Sequence, residues 1–287
     1  MAPHIAVLMT CHNRVHQTLR CLEALFSQKG IESFTVRVYL VDDGSTDNTG
    51  ATVKHRFPEV EILQGDGFLF WNRGMFRAFQ AALDVGYDYY LWLNDDTIMH
   101  NDALLTLIDT HRLLTRAGHS TTIIAGSTID TKNGSLSYGG YRRAGLLSPL
   151  QLSLTPPSEE PTRCVTFCGN CVLISRAVSD IVGNIDPIFR HRWGDVDYGL
   201  RAARNGCQCW IAPGYLADCA DNPETNRHHD RALSLRDRIT ALNSVKGLGK
   251  DDWLLFVRRH GGITWPLMWA RPYLRLIYDT IAQSIKL

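Results

Sequence analysis

Phe34-Thr35-Val36-Arg37-Val38-Tyr39-Leu40-Val41-Asp42-Asp43-Gly44-Ser45-Thr46-Asp47 is the stretch that decides the fold. A β-branched and aromatic run ends abruptly in two aspartates and a glycine turn. Ser45, Thr46 or Asp47 can cap the helix that follows. The same grammar recurs on both sides. Residues 5–10 form a continuous apolar run that suits a buried parallel strand, and Val15, Leu19, Leu22 and Phe26 follow at helical spacing. Residues 60–63 read as a short strand, 74–85 as a helix and 89–93 as a strand that ends at Asn94-Asp95-Asp96. Residues 103–115 read as a long helix and 122–125 as another strand. Strands alternating with helices predict βαβ units and a parallel sheet.

The pattern changes near residue 128. Residues 130–158 are rich in Gly, Ser, Pro and Thr and read as a hairpin or mobile loop. Residues 164–167 and 171–175 read as strands, 187–193 as irregular and 196–205 as a helix. Helical segments are expected at about 231–247 and 251–260, followed by an aromatic tail. The resulting organisation is a core over residues 1–215 and a helical extension over 216–287.

Composition removes several function classes. The 287 residues carry 30 basic and 29 acidic side chains, a net charge of +1, which argues against a dedicated nucleic-acid binder. Eight cysteines are too sparse for a disulfide scaffold. No signal peptide and no apolar run of membrane-spanning length is read, so a cytoplasmic protein with reduced thiols is expected.

The chemistry gathers at strand ends, where open α/β sheets bind ligands. Adjacent carboxylates repel each other, and a divalent cation such as Mg²⁺ or Mn²⁺ would relieve that cost. Asp-Asp-Gly is also a common turn, and Asp-Asp-Thr also a helix cap. A third cluster, Trp193-Gly194-Asp195-Val196-Asp197-Tyr198-Gly199-Leu200-Arg201, enters a helix. Asp195 near that N-terminus is a candidate general base, while Asp197 is spaced to pair with Arg201.

These motifs, in this order, resemble glycosyltransferase family 2, of the GT-A fold, over roughly residues 4–215. Thr10-Cys11-His12-Asn13-Arg14 is similar to the family's opening Thr-x-Asn-Arg element, with one extra residue. Val41 to Asp47 looks like its nucleotide-binding turn, and Leu93-Asn94-Asp95-Asp96-Thr97 its metal-binding element. Cys168-Gly169-Asn170-Cys171 stands where an acceptor-side loop falls, and Gly194-Asp195-Val196-Asp197 resembles the Glu-Asp-x-Asp element that supplies the base. The sequence departs from the family at Gly194, at Asn94 and across residues 65–74. The resemblance implies a Rossmann-like, mostly parallel mixed sheet flanked by helices. It implies that Thr10, Asn13, Arg14, Asp43, Asp66, Trp71 and Asp95 serve the nucleotide. Asp96 would hold Mn²⁺ or Mg²⁺, with His228 or His229 a candidate third ligand. Gly169, Asn170, Trp193 and Asp197 would face the acceptor, and Asp195 would be the base. The implied reaction is inverting transfer from a UDP- or dTDP-sugar to a glycan or lipid-linked saccharide. The C-terminal stretch looks like bacterial rhamnosyltransferase-type members, which points to dTDP-rhamnose. A nucleotidyltransferase and a non-catalytic nucleotide-sugar-binding module are the rival readings.

Two features stand apart. Cys164, Cys168 and Cys171 have a spacing that admits zinc, but they read better as small core residues. The tail interleaves Arg258, Arg259, Arg271, Arg275 and Lys286 with Trp265, Trp269, Tyr273, Leu274, Ile277 and Tyr278. Such a segment suits either the inner face of a membrane or packing on protein.

Overall fold

A computed structural model of the chain describes residues 2–145, 150–221, 227–230 and 232–284. Lys286, counted above among the tail's bases, lies outside the described residues. The N-terminal half runs β1 (His4–Cys11), α1 (Val15–Phe26), β2 (Thr35–Asp42), α2 (Thr49–Arg56), β3 (Glu61–Gln64), α3 (Phe70–Val85), β4 (Tyr89–Leu93), β5 (Ile98–Met99) and α4 (Ala103–Arg116). Next come β6 (Thr122–Asp130), β7 (Ser135–Tyr138), β8 (Gly140–Arg143), β9 (Leu152–Leu154), β10 (Thr162–Cys164), β11 (Thr166–Phe167), β12 (Cys171–Ser175) and α5 (Arg176–Val182). The chain ends with α6 (Gly194–Arg204), β13 (Gln208–Asp218), α7 (Leu235–Asn243), α8 (Lys250–His260) and α9 (Trp265–Ser284).

The main sheet has the order β10-β13-β6-β12-β4-β1-β2-β3. Strands β3, β2, β1 and β4 are mutually parallel, and β12 enters antiparallel between β4 and β6. Strands β8, β9 and β11 form a small second sheet. Strand alternation sorts the core into two layers. Ile5, Val7, Met9, Leu40, Leu91 and Leu173 share one cluster with α1 and α4. Ala6, Leu8, Val41, Trp92, Val172 and Ile174 share the other with α3 and α6. Every β1 residue except His4 is buried, as its unbroken apolar run requires.

Several expectations need correction. Helix α3 begins at Phe70 rather than Gly74, which brings Trp71 onto its first turn. The start is masked in sequence because Phe70 has a left-handed φ of 56° that no propensity favours. The strand expected at 164–167 is two short strands in different sheets, and of the two readings of 130–158 the hairpin holds: β7 pairs antiparallel with β6, and β8 with β9. The 11-residue strand β13 has no counterpart among the expected elements, because Pro213 and Gly214 interrupt its pattern. It pairs with β6, and its register shifts around the Pro-Gly step. The sheet therefore runs to Asp218.

The C-terminal helices are packed onto the core. Phe189, Val196 and Leu200 form a third apolar cluster with Trp253, Phe256 and Val257 of α8, and Trp265, Met268 and Trp269 of α9 border it.

Candidate active site

Parallel pairing sets Cys11 opposite Asp42, so the carboxyl ends of β1 and β2 open on the same edge. Their loops are stitched together. Asn13, at a left-handed φ of 52°, accepts the Thr46 N–H through Oδ1 at 2.7 Å. The Asn13 N–H donates to Ser45 Oγ at 2.9 Å, and the Val15 N–H to Asp47 at 3.1 Å. Asp42 accepts the Ser45 and Gly50 N–H groups, so it organises the turn into α2.

Asp43 is buried, and its carboxylate gathers the loop before α3. Oδ1 accepts the Gly67 N–H at 2.8 Å and the Leu69 N–H at 3.3 Å; Oδ2 accepts the Phe70 N–H at 3.0 Å. A carboxylate offers about four lone pairs, so Oδ2 keeps one for a ligand. Asp66 accepts the Phe68 N–H at 3.0 Å within the same loop. Thr10 is buried against Gly74 of α3, where any Cβ would strike its hydroxyl. None of Thr10, Asn13, Asp43 and Asp66 lines the cleft that lies beside this loop cluster and begins at Arg14.

That cleft measures about 490 Å³. Its walls include Arg14, Trp71, Asp95, Asp96, Gly169, Asn170, Trp193 and Asp195. Antiparallel β12 is the reason that residues so far apart in sequence meet. It sets Cys171 opposite Leu93, and the Asn94 N–H donates to the Asn170 carbonyl at 3.0 Å. Trp71 donates from Nε1 to Asn94 Oδ1 at 2.6 Å and lies over Gly169, where a Cβ would meet its ring at 2.6 Å. The Gly169 N–H in turn donates to Asp195 Oδ2 at 2.9 Å.

Asp195 sits in the first turn of α6, and its Oδ1 accepts the Val196 N–H at 2.8 Å. Desolvation pushes its carboxyl above the ordinary range, only partly opposed by these N–H groups and by Arg192. A base that holds a proton more tightly than a free carboxylate suits proton abstraction. Gly194 before it has a physical cause: a side chain there would collide with Asn72, which is held by the Asp186 and Phe189 carbonyls.

Across the cleft, Asp95 is 5% exposed. Burial and the neighbouring Asp96 raise its carboxyl, while Arg14 opposes that shift. Arg14 Nη1 donates to Asp95 Oδ1 at 3.2 Å and to Asp96 Oδ2 at 2.6 Å. Asp95 Oδ2 is buried with no hydrogen-bond partner. Two carboxylates, one of them with an orphaned oxygen, are a donor set that fits a hard divalent cation. Cys219 adds its thiol to Asp96 Oδ1 at 3.7 Å.

Asp197, expected on the acceptor side, lies elsewhere. It is fully buried, and it accepts from Arg201 Nε, Arg259 Nη1 and His260 Nε2, each at 2.8 Å. Burial alone would raise its carboxyl, but bonds from His260, Arg201 and Arg259 prevail and hold it below the usual range. One turn direction separates the two aspartates: Asp195 faces the cleft and Asp197 faces α8. Trp193 turns the chain ahead of them at a left-handed φ of 76°. Its ring stacks on Phe256 and lies 4.9 Å from Trp253, and its Nε1 donates to the Leu248 carbonyl at 2.8 Å.

Trp253 and Phe256 therefore line the cleft, as do His191, Arg192 and Tyr141. None of these five stands among the sequence-derived candidates, although the aromatic density of residues 253–256 is a usable signal. Burial drives the His191 imidazole down to about 4, so it is neutral near pH 7. The His228 and His229 rings lie 4.1 Å apart, tilted by 41°, and His228 is also lowered to about 4 by burial. Among the described residues, no group of three His, Cys, Asp or Glu is placed to hold a metal, and neither histidine joins the Asp95–Asp96 pair. The eight cysteines are all buried and unpaired, as small core residues would be.

Comparison with known proteins agrees with this geometry. The curated L-rhamnosyltransferase of Mycobacterium tuberculosis strain H37Rv, named N-acetylglucosaminyl-diphospho-decaprenol L-rhamnosyltransferase, is 26% identical over 258 residues, 82% of this chain and 79% of that protein. The crystal structure of S. aureus TarS 1-349 shares the fold, with a TM-score of 0.54 and 14% identity over 88% of this chain and 69% of the other. Its complex with UDP gives a TM-score of 0.55 at 12% identity, over 89% of this chain and 70% of the other. The sequence profile described as "Glycosyl transferase family 2" matches residues 6–182. A GT-A-type sheet with acidic strand ends, an aspartate across the cleft and a profile match over more than half of its length lead to one conclusion: the chain belongs to glycosyl transferase family 2 and is a glycosyltransferase.

Proposed function

We propose that the protein moves a sugar, with inversion and with Mn²⁺ or Mg²⁺, from a UDP- or dTDP-sugar to a hydroxyl of a glycan or lipid-linked saccharide. The observation that carries the reading is one cleft with the Asp95–Asp96 pair on one wall and Asp195 on another. A cation held by Asp96, with Asp95 beside it, would supply charge stabilisation to the departing diphosphate. The rest falls to the protein's own groups. Asp195, fixed by two backbone N–H groups, takes the proton of the acceptor hydroxyl. The hydroxyl oxygen bonds to the anomeric carbon as the bond to the diphosphate oxygen breaks, so configuration inverts. The remaining lone pair of Asp43 suits the N3–H of uracil or thymine.

The name of the M. tuberculosis relative supports rhamnose as the sugar, hence dTDP-rhamnose, and a lipid-linked saccharide as acceptor. The UDP bound to TarS supports a pyrimidine nucleotide. No helix among the described residues is long and apolar enough to cross a membrane. Helix α9 nevertheless exposes Leu267, Leu274, Ile277, Tyr278 and Ile281 beside Arg271 and Arg275. Ile263, 97% exposed, precedes them on the same approach. Apolar side chains flanked by arginines fit an anionic lipid surface, which would bring a lipid-linked acceptor to the cleft.

The test is transfer and donor hydrolysis with a nucleotide-sugar panel in Mn²⁺ and in EDTA. Turnover with dTDP-rhamnose or a UDP-sugar, abolished by EDTA, is expected. Full activity in EDTA, or equal binding of CDP and UDP, would overturn the assignment.

A further inference from the structure

Arg14 already sits on the oxygens that a divalent cation would use. A single nitrogen, Nη1, spans Asp95 and Asp96. The side chain of Arg14 is 40% exposed and lines the cleft, whereas that of Asp95 is only 8% exposed. The backbone that carries Arg14 is pinned, because Asn13 and Val15 are bonded to the Ser45–Asp47 turn on either side of it. Any rearrangement at this point is thus a swing of the side chain and not of the loop. The charges do not balance: two carboxylates face one guanidinium, and Asp95 Oδ2 is left without a partner. A divalent cation would satisfy the pair better, but it would compete with Arg14 for the same oxygens. A guanidinium released from carboxylates finds an equivalent partner in a diphosphate, whose oxygens suit its planar fork of donors.

We propose that Arg14 is a latch on the cation site. In the free enzyme its guanidinium bridges Asp95 and Asp96 and holds cations off. When the donor arrives, Arg14 transfers to the diphosphate and yields the two carboxylates to the cation. This inference rests on the metal-dependent reading above. Its consequence is coupling: nucleotide and cation each bind weakly alone and strengthen each other, as two ligands that share one displaced group must.

The experiment compares wild type, Arg14→Gln and Arg14→Lys. Free Mn²⁺ is counted by electron paramagnetic resonance with and without UDP or dTDP, and nucleotide binding is measured by calorimetry at saturating Mn²⁺. Thermal melts confirm that each variant is folded. In Arg14→Gln, Mn²⁺ affinity without nucleotide should rise about tenfold, while nucleotide affinity falls and the coupling shrinks. Arg14→Lys keeps the charge and should keep weak Mn²⁺ binding by the free enzyme. Unchanged or weaker Mn²⁺ binding by folded Arg14→Gln, with coupling intact, would make Arg14 a static partner and overturn the latch. The latch also fails if the Lys variant binds Mn²⁺ as the Gln variant does. Failure of wild type to bind Mn²⁺ even with nucleotide is a separate result: it removes the metal-dependent reading and the latch with it.

Discussion

Asp195→Asn and Asp197→Asn differ by two positions and should have opposite phenotypes. Asp197 is fully buried and accepts hydrogen bonds from Arg201, Arg259 and His260 at 2.8 Å each. Its amide replacement turns an N–H₂ group toward these donors and leaves Arg201 without its carboxylate, while Arg259 keeps only Asp186. Removing one partner of such a cluster costs about 3–5 kcal/mol. With an unfolding entropy of about 2.1 cal/mol/K per residue over 287 residues, that corresponds to a Tm lower by roughly 5–8 °C. The loss should spread to the cleft, because Arg259 and His260 belong to α8, whose Trp253 and Phe256 form its wall. Asp195 is the reverse case. Its carboxyl is raised by desolvation, so ionisation in the folded state costs stability at neutral pH. Asp195→Asn removes that cost and gives up one N–H acceptor, so Tm should stay within about 2 °C of wild type. Transfer, however, should fall by about 10²–10⁴ with donor binding unchanged. Differential scanning calorimetry and a transfer assay read both effects. If Asp197→Asn keeps its Tm but loses transfer, while Asp195→Asn stays active, the two roles are exchanged and the reasoning fails.

The pH profiles follow from the same two shifts. The raised Asp195 carboxyl should set the acid limb of transfer above the range of an ordinary carboxylate, and Asp195→Asn should flatten it. Asp197 has a lowered carboxyl, so its stabilisation is present above the unfolded pKa and is lost as pH falls through the folded one. Acid melts of wild type should therefore lose the α8 packing first, seen as a change in Trp193 and Trp253 fluorescence. Gly169→Ala should push the Trp71 ring, 2.6 Å from the added Cβ, and so both weaken nucleotide binding and lower transfer; wild-type binding and rates in this variant would dissociate Trp71 from the donor pocket. Asp96→Ala should abolish turnover and make nucleotide affinity indifferent to Mn²⁺; normal turnover would contradict its metal role. Leu267→Asp with Leu274→Asp should release the enzyme from anionic vesicles in a sedimentation assay while donor hydrolysis persists. Truncation at Ile263 is the poorer test, since Trp265, Met268 and Trp269 border a buried cluster.

The sequence by itself determined the parallel half of the sheet. Runs such as Ile5 to Thr10 and Phe34 to Val41 are local signals, because each strand's burial is written in its own side chains. It also marked the acidic strand ends, since Asp42, Asp43, Asp95 and Asp96 stand next to those runs in the chain. The pairing of Asp197 with Arg201 is legible for the same reason: three to four residues along a helix bring side chains together. Only the tertiary structure decided what the residues face. Antiparallel β12 carries Gly169 and Asn170 to Asn94, and α6 then carries Asp195 to Gly169, through contacts between residues 26 or more apart in sequence. It also turned Asp197 away from the cleft toward Arg259 and His260, more than 60 residues later. Strand β13 is hidden in the sequence because Pro213 and Gly214 break its local pattern, and β6 supplies the pairing that overrides them. The aromatic density around Trp253 and Phe256 is visible in the sequence, but not the wall they make, since an aromatic on a helix looks the same whether it packs in a core or borders a ligand. Local periodicity encodes which residues are buried; which distant surfaces they are buried against is fixed only when the chain closes on itself.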